Sequence, residues 1–185
     1  MRRLPWWGRV VVVATAALLG WRATAPSDAA APEGIPDGAQ RAVVERIVDG
    51  DTIWVRSAGP GPLVSGATHK IRLLEIDTPE TQHPTKGREC GGKLATWFAE
   101  RHLTGRTVFL LADREETDRY GRFLRYVFTA NGAFFNLQAV RTGHARAALY
   151  EPNDRYIALM RRAERQARRA DRGIWGAPCD YGRRS

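Results

Sequence analysis

Three acids and two arginines lie in three short segments whose residue types suit the hydrolysis of a phosphate ester. Asp51 belongs to Asp49-Gly50-Asp51-Thr52. Arg72, Asp77, Thr78 and Glu80 belong to the run 72–80 (RLLEIDTPE), and Arg122 ends Asp118-Arg119-Tyr120-Gly121-Arg122. A hard divalent cation takes oxygen ligands, and Asp51, Asp77 and a backbone carbonyl near Thr78 would supply them. Glu80 is a spare carboxylate beside that set, suited to act as the base that activates water. Attack on phosphorus gathers negative charge, which the forked guanidiniums of Arg72 and Arg122 can neutralise. The metal would polarise the phosphate and help to orient the water. Taken singly, the first and third segments are the Asp/Gly turns that any hairpin uses. Their combination with the second carries the reading.

Those segments must be held by strands and helices that the pattern also predicts. Residues 42–48 and 52–56 are β-rich runs around the Asp49-Gly50-Asp51 turn. The Gly/Pro-rich stretch 57–67 reads as a loop at the far end of that hairpin. Residues 69–76, 107–112 and 123–128 give three further strands, five in all. Helices are expected over 93–103 with Leu94, Trp97 and Phe98 on one side, over 137–142 with Asn136 as N-cap and Gly143 as stop, and over about 154–172. In the last, Tyr156, Met160, Ala163, Ala167 and Ala170 recur at helical spacing, with Asn153 as N-cap and Gly173 as stop. Arg161, Arg162, Arg165, Arg168, Arg169 and Arg172 cover its other side, as a solvated face does. The expected fold is α+β, a small five-stranded OB-type barrel with about three helices.

The whole chain has 185 residues and a formal charge of +9, with a sequence pI near 10.3. That length suits one compact domain with a tail. A basic surface attracts polyanions such as nucleic acid without naming one. Residues 1–9 are basic and residues 10–21 form a 12-residue apolar run, too short for the roughly 20 residues of a spanning helix. The pattern is that of an export signal with cleavage near Ala29. The alternative is a retained anchor helix, which would leave the rest facing outside and provide the one membrane contact. Removing residues 1–29 takes four arginines and one aspartate, leaving +6 over 156 residues. Residues 30–40 read as a flexible linker, residues 41–179 as the folded domain and residues 180–185 as a basic tail.

The ordered set DGDT, RLLEIDTPE and DRYGR resembles the thermonuclease family typified by staphylococcal nuclease, from about Val43 to Trp175. The resemblance implies an OB-fold barrel with helices, a single calcium ion, and extracellular cleavage of DNA and RNA by water, leaving 3′-phosphates. It implies a monomer and no stable protein partner. It makes Asp51 and Asp77 the calcium carboxylates, Thr78 the carbonyl ligand and Glu80 the general base. Arg72 and Arg122 become the phosphate-binding arginines. Arg119 and Tyr120 match positions that contact a terminal phosphate, and Lys86 falls in a basic loop beside the substrate. Tyr150 keeps one of two aromatic positions of the base pocket, and Ala148 replaces the other. The competing class is a non-catalytic OB-fold module that binds nucleic acid, which the complete acid and arginine set disfavours.

An exported chain with two cysteines, Cys90 and Cys179, is placed to join them. The four histidines, 69, 83, 102 and 144, show no metal-ligand spacing. Trp97 and Trp175 read as core.

Overall fold

The computed structural model describes residues 33–81 and 89–179. The expected export segment, Lys86 and the basic tail lie outside the described residues. Five strands close a barrel in the order β1-β2-β3-β6-β5: β1 Gln40–Asp49, β2 Thr52–Ser57, β3 Thr68–Leu73, β5 Thr107–Leu111 and β6 Phe123–Thr129. All pairings are antiparallel except β3 with β6. A two-stranded ribbon, β4 Ile76–Asp77 with β7 Arg146–Ala147, lies outside the barrel ladder. The helices are α1 Gly92–Leu103, α2 Phe135–Arg141 and α3 Ile157–Arg169, followed by a short 3-10 turn at Gly173–Trp175. The expected barrel with three helices is therefore present.

Alternation along the strands sends Val44, Ile53, Val55, Ile71, Leu73, Val108, Leu110 and Val127 inward. Phe98, Leu103, Phe135, Val140 and Met160 from the three helices complete that core. A second cluster of Ile35, Leu74, Leu111, Leu124, Tyr126 and Phe128 packs outside it. Ile35 is buried and β1 begins at Gln40, so the stretch expected to be linker packs against the barrel from Ile35 onward. The Gly/Pro-rich insert is also anchored. Gln40 donates to the carbonyls of Gly59 (3.0 Å) and Leu63 (2.8 Å) and accepts from the Leu63 N–H (2.8 Å).

Several expected boundaries move, each for a local reason. The strand expected over 69–76 breaks after Leu73, because Glu75 adopts a left-handed conformation (φ 58°) and starts β4 in a new direction. Asn136 does not cap α2, whose N-cap is Phe134. Its buried amide instead accepts from the Val127 N–H (2.9 Å) and donates to the Leu74 carbonyl (2.9 Å). Asn153 does not cap α3, whose N-cap is Tyr156; its Oδ1 takes the N–H groups of Arg114 (3.0 Å) and Glu115 (2.9 Å). α3 ends before Gly173, at a left-handed Asp171, so Ala170 is exposed and Arg172 lies beyond the helix. Trp175 is buried as expected, but Trp97 is not core: it is half exposed with Leu94, while Ala95, Phe98 and Ala99 face inward.

Cys90 and Cys179 are joined, tying the residue just before α1 to the end of the described chain. The close approach there requires glycine at residue 91 (φ 88°), because a Cβ would meet the Ile174 side chain at 2.5 Å.

Candidate active site

The β1–β2 hairpin, the β3–β4 break and the loop before β6 converge on one wall of the barrel. Register shifts in β1 after Val44 and again after Ile47 bend the strand into the Asp49–Asp51 turn. Gly50 lets that turn lie against neighbouring chain, since a Cβ there would meet Thr78 at 2.7 Å and Ala95 at 2.8 Å. The β2–β3 register sets Arg72 opposite Thr52, and so beside Asp51.

Asp51 is nearly buried and fully engaged. Its Oδ2 accepts the Thr78 backbone N–H (2.8 Å) and hydroxyl (2.9 Å), and its Oδ1 accepts the Thr52 hydroxyl (3.2 Å) and pairs with Arg72 Nη1. The other end of the same guanidinium reaches Asp77 Oδ1 (3.3 Å) and donates to the Tyr150 hydroxyl (2.8 Å). One planar cation thus bridges both expected metal carboxylates. Asp77 Oδ2 is held by Arg146 Nη2 (2.9 Å), a consequence of the Asp77–Arg146 pairing between β4 and β7.

Glu80 leaves the cluster on its solvent side. Its backbone exchanges hydrogen bonds with Glu89: the Glu80 N–H donates to the Glu89 carboxylate (3.2 Å), and the Glu89 N–H donates to the Glu80 carbonyl (3.0 Å). Partial desolvation raises the Glu80 pKa first, and the nearby Asp49 carboxylate adds to it, against the opposing charge of Arg72. Asp49 is raised too, chiefly by burial, with Arg72, Thr52 and Arg122 pulling the other way.

Arg122 donates its Nε–H to Asp118 Oδ2 (2.7 Å). Burial would raise the Asp118 pKa, but bonds from the Arg122 N–H and guanidinium and the Tyr120 N–H outweigh it and leave it low. Arg122 and Arg119 both lie over the Tyr120 ring, at 5.4 and 4.9 Å from its centre. Arg72, Arg119, Tyr120, Arg122, Tyr150 and Glu151 line a cleft of about 480 Å³. It is the size of a small-ligand site, and its lining includes three arginines and two tyrosines.

The structure brings together Asp51, Arg72, Asp77, Thr78 and Tyr150 by direct contact, with Glu80 in their electrostatic reach and Arg119, Tyr120 and Arg122 along the same cleft. Arg146, Glu89 and Asp49 belong to the site and were not assigned roles from sequence. Asp49 was visible inside the DGDT segment but reads there as a turn residue. Arg146 carries no sequence signal, because only a pairing 69 positions away brings it to Asp77.

The donor set fits a hard cation. Asp51 and Asp77 face one shared positive group, and every candidate ligand is oxygen. Among the described residues no three His, Cys, Asp or Glu side chains gather closely enough to hold a metal alone. A cation here would therefore complete its coordination with the Thr78 carbonyl, water and substrate oxygens.

Residues 70–177 match the family described as Staphylococcal nuclease homologue. The chain is 38% identical over 133 residues to the thermonuclease of Staphylococcus intermedius, covering 72% of this chain and 74% of that protein. It is 34% identical over 169 residues to the thermonuclease of Staphylococcus hyicus, covering 91% and 95%. It is also 32% identical over 147 residues to Endonuclease YhcR of Bacillus subtilis, covering 75% of this chain and 12% of that longer protein.

Proposed function

Because the chain belongs to the staphylococcal nuclease family, we propose that it is an exported, calcium-dependent nuclease that hydrolyses DNA and RNA with little sequence preference. The observation that carries the reading is the Arg72 guanidinium touching both Asp51 and Asp77 at the base of a cleft that Arg122 also lines.

In this reading the scissile phosphate lies between Arg72 and Arg122, whose forked donors neutralise the charge that grows on its oxygens. Asp51, Asp77 and the Thr78 carbonyl would hold calcium, which would supply Lewis-acid polarisation of the phosphate. Glu80 accepts a proton from the attacking water, a task for which its raised pKa suits it. A new P–O bond forms, the P–O5′ bond breaks, and the departing oxygen takes a proton from solvent water. The products are a 3′-phosphate and a 5′-hydroxyl. Arg146 fixes one oxygen of Asp77, and Tyr120 and Tyr150 flank the bound nucleotide. Arg119 meets its terminal phosphate, and Lys86 adds a further cation for the substrate. With Ala148 in place of a second aromatic, base stacking rests on fewer rings, each worth roughly 1–3 kcal/mol.

The test is cleavage of single-stranded DNA and RNA by the purified chain with calcium and with chelator. Cleavage that chelator abolishes and calcium restores is expected. Binding without cleavage in calcium, magnesium and manganese would overturn the enzyme reading in favour of a binding module. Glu80→Gln should lose at least a hundredfold in kcat while calcium binding by calorimetry persists. Normal turnover by that variant would remove Glu80 from the mechanism.

A further inference from the structure

We propose that the outward face of α3 is a second nucleic-acid contact, an arginine rail that takes the phosphate backbone of substrate extending beyond the catalytic cleft. The inference rests on the nuclease reading for the identity of its ligand, but not on the chemistry of the cleft.

Helical geometry places the rail. At 3.6 residues per turn, Arg161, Arg162, Arg165, Arg168 and Arg169 fall within an arc of about 120°. Met160, Ala163 and Ala167, the buried residues of α3, lie nearly opposite. All five arginines are exposed. Arg172, which the sequence pattern grouped with them, lies beyond the helix and donates to the Arg141 carbonyl.

The helix does little to neutralise this charge. Its single acid, Glu164, pairs with Arg168 at 3.4 Å, and Arg168 also lies over the Trp175 ring. Arg161, Arg162, Arg165 and Arg169 make no ion pair among the described residues. Several arginines elsewhere are paired, as with Arg56–Glu45 and Arg114–Asp154, while Arg41, Arg101 and Arg106, without an ion pair among the described residues, are not gathered on one helix face. Like charges at i,i+3 and i,i+4 disfavour a helix. Arg168 and Arg169 sit in the last turn, where the helix dipole favours cations, but the like-charge pairs around Arg165 are uncompensated, and a polyanion is the partner that relieves them.

The side-chain type suits such a partner. Every cation of α3 is arginine, whose planar fork binds phosphate oxygens in pairs, where lysine offers a point charge. From Arg161 to Arg169 the rail is about 12 Å long, or roughly three nucleotide steps at the axial rise of a duplex strand. No ring lies exposed among these arginines to stack bases, so the contact is to backbone and independent of sequence. The chain also leads from the cleft to the rail. Tyr150 and Glu151 line the cleft, Asp154 pairs with Arg114 beside the cleft residue Glu115, and α3 begins at Ile157.

The experiment compares wild type with R162Q/R165Q/R169Q and a charge-matched control, R41Q/R101Q/R106Q, whose arginines lie elsewhere on the surface. Binding of a 30-nucleotide single strand (about ten times the rail's span) is followed by fluorescence anisotropy in chelator across a salt series. The rail variant is expected to lose about two units from the slope of log K against log salt, at about 0.7 per phosphate contact. Its affinity at low salt should fall at least tenfold, with the control losing less than half as much. With calcium, KM for the long strand should rise while kcat/KM on a dinucleotide ester stays within twofold. Circular dichroism should show unchanged helix content, because only repulsion has been removed. An unchanged slope, or equal losses in rail variant and control, overturns the rail. So does loss of binding to phosphatidylserine vesicles with the DNA slope intact, which would assign the face to a membrane. Because binding is measured in chelator, a rail that works on a chain that never cleaves would instead refute the nuclease reading.

Discussion

Tyr126 has one hydroxyl hydrogen and two carboxylates within reach, Glu75 Oε1 at 2.5 Å and Asp113 Oδ2 at 3.0 Å. A single hydrogen cannot serve both at once, and Glu75 is the carboxyl here whose pKa is raised. Its side chain is fully buried, and desolvation is the main force raising its pKa, with Asp113 and Asp154 adding to it. The phenol and the Tyr156 N–H pull the other way but do not prevail. Asp113 lies 3.5 Å from Arg155 Nε and accepts the Arg155 N–H (3.2 Å). The linkage has a definite sign. A raised folded pKa stabilises the fold fully below the ordinary glutamate value, and that contribution is lost as pH rises through the folded value. Glu75→Gln mimics the protonated acid. Thermal melts from about pH 5 to about pH 9 should therefore show a flatter profile for the variant, with its advantage growing toward alkaline pH. A parallel profile would place the proton elsewhere. This residue was invisible in the sequence, where it reads as one more acid in RLLEIDTPE. Arg72 and Asp77 in that stretch, and Asp51 in DGDT, were legible because their residue types stand beside short turns.

At the level of elements, Asn136 joins three pieces that sequence treats as separate. From the first turn of α2 it satisfies the backbone of β6 at Val127 and of the β3–β4 break at Leu74. Asn136→Ala leaves a buried donor and a buried acceptor without partners, and should cost about 2–4 kcal/mol in urea unfolding. Because the break carries the chain from Arg72 to Asp77, cleavage should fall with stability. A loss under about 0.5 kcal/mol would show that the two backbone groups find other partners. The local code misplaced Asn136 because asparagine before an apolar run is also what a helix cap looks like. It misplaced Trp97 for a related reason. Leu94 and Trp97 repeat at helical spacing, yet α1 buries its Ala95–Phe98–Ala99 side, since alanines let the helix lie close to the barrel. The β4–β7 ribbon escaped altogether, being two residues long and paired across most of the domain. Strands and turns with strong local chemistry were readable; contacts made by long-range register were not.

For the molecule as a whole, the Cys90–Cys179 bond spans 89 positions and is the longest-range covalent constraint among the described residues. In the chain-entropy account a loop of that size adds about 3–5 kcal/mol. Cys179 belongs to a small apolar cluster with Ala167, Ile174 and Trp175, distinct from the barrel core. Cys90 adjoins Glu89, whose carboxylate and backbone hold the Glu80 segment. Reduction, or Cys90→Ser with Cys179→Ser, should lower the melting temperature by about ten degrees and depress cleavage more than DNA binding. Equal melting curves with and without reductant would deny the bond any role in stability. If the tie governs Glu80 as its placement implies, competence follows the redox state of the surroundings. A chain still in a reducing interior would be the slack form, and oxidation would tighten it. The cell making such an enzyme would then meet its own product first in the less competent form.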